Sequence, residues 1–194
     1  VAIVGRVVPS VALKLQKWVA TGIETLTKLY GRLPVPEIQI LVFPLDHNAD
    51  PVPWGEVLRG GGDAVHLYVD ATRSLSELNH NWVLTHELTH LIHPYVAGDD
   101  AWLSEGIASY YQNVLRARAG LIEHQLGWQK LDAGFKRGLA QFDRTTTLAQ
   151  NTRAMLRQGH YMRVYWSGAA IALIGDVTLR QRSNGALGLD SVLD

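Results

Sequence analysis

The chain contains no cysteine among its 194 residues. That absence removes disulfide frameworks, thiolate nucleophiles and cysteine-held zinc or iron–sulfur centres. It leaves the compartment open between a reducing cytosol and a bacterial periplasm or cell envelope, with the second the mild expectation. Net charge of either sign is also missing. With 18 Lys and Arg against 18 Asp and Glu there is no global basic field for a polyphosphate backbone, so nucleic acid is not an expected partner. Nor is there a long apolar run. The most apolar stretch, residues 169–174, is cut by Gly168, Gly175 and Asp176, far short of the roughly 20 residues that a bilayer helix needs. No membrane span is expected. Residues 1–11 are apolar but have neither a basic start nor a small-residue cleavage site, so they read as the margin of a longer chain rather than a signal peptide. Repeats and low-complexity tracts are absent too.

What is present is enough apolar material, 47% of residues, for one sizeable core. Ser10 can cap a helix whose apolar positions Val11, Leu15, Trp18, Val19, Ile23, Leu26 and Leu29 recur at three and four, up to Tyr30 or Gly31. Pro34 and Pro36 end it. Residues 38–43 read as a strand, 46–53 as a loop, and 64–70, after Gly60-Gly61-Gly62, as a second strand. Ser74-Leu75-Ser76-Glu77 is a capping box that opens a helix expected to reach Ile92. Beyond Ala101 everything reads as helical: 102–119, 122–140, a short piece after Thr147, and 159–182. Strands first and helices afterwards give an α+β class, a small N-terminal sheet packed on a mainly helical lobe. Trp18, Trp82, Trp102, Trp128 and Trp166 read as core anchors on helical faces, while Trp54 sits in a loop where it can line a pocket.

The charge balance conceals an asymmetry. Residues 116–163 hold 9 basic side chains against 3 acidic ones. A basic wall beside a cleft would favour acidic substrates, whereas the plainer reading is solvated helix faces.

The residues richest in chemical information are His86-Glu87-Leu88-Thr89-His90. Histidines four apart on a helix share a face, so both imidazoles can reach one ion while the Glu between them points at its open coordination position. Composition alone predicts about 0.01 such matches in a chain of this make-up. Catalytic zinc takes three protein ligands and leaves a fourth position for water. The metzincin solution needs Gly at position 93 and His at 96, which are His93 and Val96 here. A Glu on the following helix is the other solution, and Glu105 supplies one, with Asp99 and Asp100 in the intervening turn as competing ligands. His93, one turn past His90, reads as an exposed helix-end residue or a partner behind the ligands.

Together, His86-Glu87-x-x-His90 and Trp102-Leu103-x-Glu105-Gly106-x-Ala108-Ser109-Tyr110 resemble the gluzincin metallopeptidases. The nearest likenesses are to the aminopeptidase N family and the PDZ-containing glycyl aminopeptidase family. Tyr165-Trp166-Ser167-Gly168-Ala169-Ala170 resembles their Tyr-x-x-Gly-Ala segment. The resemblance implies a thermolysin-like zinc peptidase domain holding one Zn2+ on His86, His90 and Glu105. Glu87 would be the general base and acid, and Tyr165 the transition-state hydrogen-bond donor, with Tyr161 and His160 as rivals. It also implies a peptide or protein substrate, aminopeptidase-like cleavage, and residues 1–194 as one catalytic domain of a longer multidomain chain. The family's amine-holding Glu follows a Gly-rich run. The matching positions here are Gly61, Gly62 and Asp63, so the expected substrate contacts fall there, on a strand that pairs with an extended peptide. A peptide-binding module that keeps the fold without turnover is the alternative reading.

Overall fold

The computed structural model describes residues 1–96 and 98–193. Its elements run in the order β1 (Ala2–Ile3), α1 (Pro9–Thr27), β2 (Gln39–Leu45), β3 (Trp54–Arg59), β4 (Asp63–Asp70), α2 (Leu75–His80), α3 (Val83–Thr89), α4 (Ala101–Arg118), α5 (His124–Ala140), α6 (Leu148–Gln158), α7 (Tyr161–Arg182) and α8 (Asp190–Leu193). The architecture is α+β, a small sheet followed by helices. Among the described residues no helix is long and apolar enough to cross a membrane.

Alternation builds the sheet. Ile40 and Val42 on β2, and Val65, Leu67 and Val69 on β4, are almost fully buried and face the helices, while the residues between them face outwards. The strand order is β1-β2-β4-β3. β4 runs parallel to β2 and antiparallel to β3, with Glu56 opposite His66 and Arg59 opposite Asp63. β3 is therefore an edge strand, with β1 at the opposite edge. Gly60-Gly61-Gly62 is the turn of the β3–β4 hairpin, and Gly61 (φ 135°) and Gly62 (φ 131°) hold backbone angles that side chains disfavour.

Behind the sheet, α1 buries Leu15, Trp18, Val19 and Leu26. Gly22 leaves room for α3, since a Cβ there would lie 2.4 Å from Leu84 Cδ2. The helix expected from Ser74 to Ile92 is instead two helices and a tight turn. Ser74 and Glu77 do form the capping box of α2, but Asn81 stops it. Its backbone is extended (ψ 147°) and its side-chain oxygen accepts from the Val83 amide at 2.8 Å, which restarts the chain as α3. A short polar side chain has outcompeted the continuing helix for a backbone N–H. Every residue of α3 is buried. A 3-10 turn, His90–Ile92, follows it, and His93 is extended before Pro94. The tryptophans divide as well. Trp18 and Trp166 are core, whereas Trp82 (43% exposed) and Trp128 (58%) are not.

Asp70 anchors the end of β4. Its carboxylate accepts from the Thr72 hydroxyl (2.6 Å) and amide (2.9 Å), the Asn48 amide (3.0 Å) and Arg73 Nε (3.1 Å). Burial pushes its pKa up, but these donors outweigh it and hold the carboxyl well below the ordinary range. A pKa lower in the folded than in the unfolded state contributes stability above the unfolded value, near 3.9, and loses it as pH falls from there toward the folded value. Asp70→Asn should cost about 2 kcal/mol at pH 7. Parallel denaturant titrations should show the gap narrowing below about pH 4; a gap that does not depend on pH would contradict the assignment.

Candidate functional site

Three elements converge on the site. α3 and its 3-10 extension bring His86, Glu87 and His90, with the two imidazole centroids 5.0 Å apart. α4 lies against them and presents Ser104, Glu105 and, two turns on, Gln112. α7 adds Tyr165 from the far side. Glu105 Oε2 lies 3.2 Å from His86 Nε2 and 3.7 Å from His90 Nε2. One ligand atom from each of the three residues falls within 4.8 Å of the others, the metal-type cluster found among the described residues.

The hydrogen bonds behind the imidazoles determine which nitrogen is free. His86 Nδ1 donates to Gln112 Oε1 at 2.8 Å. His93 Nδ1 donates to the Pro94 carbonyl at 2.8 Å, which leaves His93 Nε2 to accept from the Ser104 hydroxyl at 3.4 Å, and Ser104 Oγ in turn accepts from His90 Nδ1 at 3.0 Å. With these partners His86 and His90 carry their proton on Nδ1 and turn Nε2 toward the Glu105 carboxylate. Acceptors facing acceptors need a positive charge between them, either a proton on His86 Nε2 or a metal ion. Bonds of about 2.0–2.1 Å from nitrogen and carboxylate oxygen to a tetrahedral zinc place neighbouring ligand atoms about 3.3 Å apart, close to the separations observed. The donor set fits zinc.

His93 is buried rather than exposed and lies behind His90, joined to it through Ser104. Arg59 reaches across from β3 to the carbonyls of His90 and His93, the latter at 3.0 Å, and fixes the turn that carries His90.

The site's electrostatics follow from burial beside mixed charges. Burial pushes Glu87 up to about 7, against the pull of His86 and with help from Glu105 and Glu56. Burial and the neighbouring His86 lower His90 to about 3. For His86, burial lowers the pKa, but the bond to Glu105 and the fields of Glu87 and Glu105 overcome it and the net shift is upward. Burial also raises Tyr165, and the neighbouring charges of Glu105 and Glu87 add to the shift. The Tyr165 ring lies nearly parallel to His86, 6.0 Å between centroids.

A cleft of about 630 Å³ opens over these groups, bordered by Trp54, Gly55 and Glu56 of the edge strand and by Tyr161 and Tyr165 of α7. Gly55 faces Glu87 so closely that a Cβ would lie 2.6 Å from Glu87 Cγ. The expected substrate contacts are placed elsewhere. Gly61, Gly62 and Asp63 border a different depression, beside Val1 and Glu37, and Asp63 pairs with Arg59 at 3.8 Å. The strand after the glycines, β4, lies inside the sheet and has no free edge. That edge belongs to β3, which sequence reasoning missed. Asp99 pairs with Arg153, Asp100 stands at the start of α4 without a side-chain cap bond, and His160 is tied to Asn151 at 2.8 Å.

Two histidines one helical turn apart, a buried Glu between them and a carboxylate from the next helix make a group that could hold a metal ion. Residues 93–170 match the family model of the M61 glycyl aminopeptidases. That segment carries Glu105, Tyr165 and Gly168 and begins three residues past His90. The match therefore supports the resemblance independently of the His86-Glu87-x-x-His90 motif, and with it a peptidase. No curated protein matches the chain.

Proposed function

We propose that the chain is a zinc-dependent peptidase with aminopeptidase-like action, built on a thermolysin-like catalytic domain. The observation that carries this reading is the convergence of two Nε2 atoms and the Glu105 carboxylate on one point, beside the buried Glu87 and open to a cleft.

Zinc, when bound, supplies a Lewis acid that polarises a peptide carbonyl and acidifies water. The chain does the rest. Glu87, not a ligand, takes the proton of the attacking water and later delivers it to the leaving amine; a carboxyl held near neutrality suits both transfers. Tyr165, which borders the cleft, donates a hydrogen bond to the developing oxyanion, an interaction that strengthens only as charge appears. The free edge of β3 offers main-chain donors and acceptors to an extended peptide. A preference for a free amino terminus is carried by the family match.

Elemental analysis after long dialysis of the metal-replete protein tests the reading. About one zinc per chain is expected, with marked loss in Glu105→Ala, followed by hydrolysis of peptides with free and then blocked amino termini. A parent without zinc would return the chain to the binding-module reading. A variant that holds zinc as tightly as the parent would remove Glu105 from the ligand set.

A further inference from the structure

Beside the cleft lies a second cavity, of about 600 Å³, between α4, α5 and α7. The two share a wall: Tyr165 borders both, and Gln112, which holds His86, faces the cavity. Three cations line it, and no acidic residue does: Arg116 from α4, with Lys130 and Arg137 from α5. Arg116 is 1% exposed. One of its terminal nitrogens donates to the His80 carbonyl, and its Nε is buried with no hydrogen-bond partner among the described residues. Burial lowers the Arg116 guanidinium to about 10, and burial together with Arg116 and Arg137 lowers the Lys130 ammonium. No carboxylate contributes to either shift. Arg137 lies over the Trp166 ring, 5.0 Å from its centre.

A guanidinium removed from water without a counter-charge and with an idle N–H is costly unless an anion completes the arrangement. Arg116 is also one face of a polar stripe, Ser109, Gln112, Asn113 and Arg116, spaced three and four apart along α4 and turned into this cavity. The basic excess over residues 116–163 is therefore not only solvated helix surface, since part of it is gathered where a substrate's next group would fall.

We propose that this cavity is a carboxylate-binding subsite, in which Arg116, Lys130 and Arg137 receive a carboxylate of a peptide lying across the Tyr165 wall. The assignment rests on the peptidase reading and narrows its substrates to peptides with an acidic side chain or a nearby free C-terminus. Arg116 supplies fork geometry at the base of the cavity, and the two α5 cations supply field at its rim.

The test uses matched peptides that differ at one position, Glu against Gln, each with a free or an amidated C-terminus. The expected result is that kcat/KM for a carboxylate-bearing peptide exceeds that of its amide counterpart about tenfold. The preference should fall toward parity in a Lys130→Gln/Arg137→Gln double variant; these exposed positions are used because Arg116 is buried and its replacement would endanger folding. Loss of preference on amidation alone assigns the carboxylate to the C-terminus, and loss on Glu-to-Gln exchange alone assigns it to a side chain. Calorimetric binding of the same peptides to zinc-loaded Glu87→Gln separates the two readings. If no peptide is cleaved, yet the carboxylate-bearing ones bind about tenfold more tightly, the subsite stands without the peptidase. If peptides are cleaved and bound without distinction, or the preference survives in the double variant, the subsite is overturned and the peptidase stands.

Discussion

Glu87→Gln should leave zinc bound at about one per chain and lower peptide hydrolysis by a factor on the order of 10²–10⁴, the span that a positioned general base contributes. The amide keeps the size and planarity of the carboxylate but cannot take a proton from water. Its surroundings favour a clean comparison. Glu87 is buried and packs against Gly55, where the missing Cβ leaves the space it occupies. His86, His90 and Glu105 keep their partners Gln112, Ser104 and each other, so metal content should not move. Zinc analysis with initial rates on one batch of each protein checks both halves. Hydrolysis at the parental rate would remove Glu87 from the mechanism. Loss of zinc alongside loss of rate would make it a structural support for the metal instead.

The parts of this site legible in the sequence are those set by helical period. A 3.6-residue repeat fixes which side chains share a face, so the pairing of His86 with His90 needed only spacing, whereas Glu105 comes from the resemblance, with Asp99 and Asp100 as rivals. The edge strand β3 was hidden for the opposite reason. Its six residues, Trp54 to Arg59, hold only Trp54, Val57 and Leu58 as apolar residues, interrupted by Gly55 and Glu56, and β3 exists because the Gly60-Gly61-Gly62 turn folds it back on β4. Once it is missed, the glycines invite a ligand-binding reading and Asp63 is drawn in with them. The break at Asn81 depends on one side-chain bond to a backbone amide, which a capping box seven residues earlier cannot foretell. The hydrogen-bond chain through Ser104 and His93 needs α4 laid against the 3-10 turn, a tertiary fact that no local pattern encodes. Gly106 of α4 and Gly168 of α7 are the remaining signal: unexplained as helix residues, they become necessary once the two helices are seen to touch.

Gly106→Ala should destabilise the metal-free protein by about 3 kcal/mol or more, a fall in Tm on the order of 10 °C for a domain of this size. It should also weaken zinc binding at least about tenfold, as removal of a ligand's support does. A Cβ at position 106 would lie 2.3 Å from the Gly168 carbonyl carbon and 2.4 Å from its Cα. These are backbone atoms of α7, so no rotamer change relieves the overlap and the helices must separate. Glu105 is the neighbouring residue on α4, and Tyr165 stands three residues before Gly168. Separation therefore withdraws the third ligand and the tyrosine hydroxyl from the His86–His90 face together. The same α7 carries its own control. A Cβ at Gly175 meets nothing within 4 Å, so Gly175→Ala gains helix propensity and should be neutral or stabilising by up to about 1 kcal/mol. Thermal unfolding of the two apo variants and chelator competition for zinc decide the matter. Equal Tm values would mean that the α4–α7 contact is not the tight crossing that seats Glu105 and Tyr165. A lower Tm with parental zinc affinity would mean that the crossing supports the fold alone.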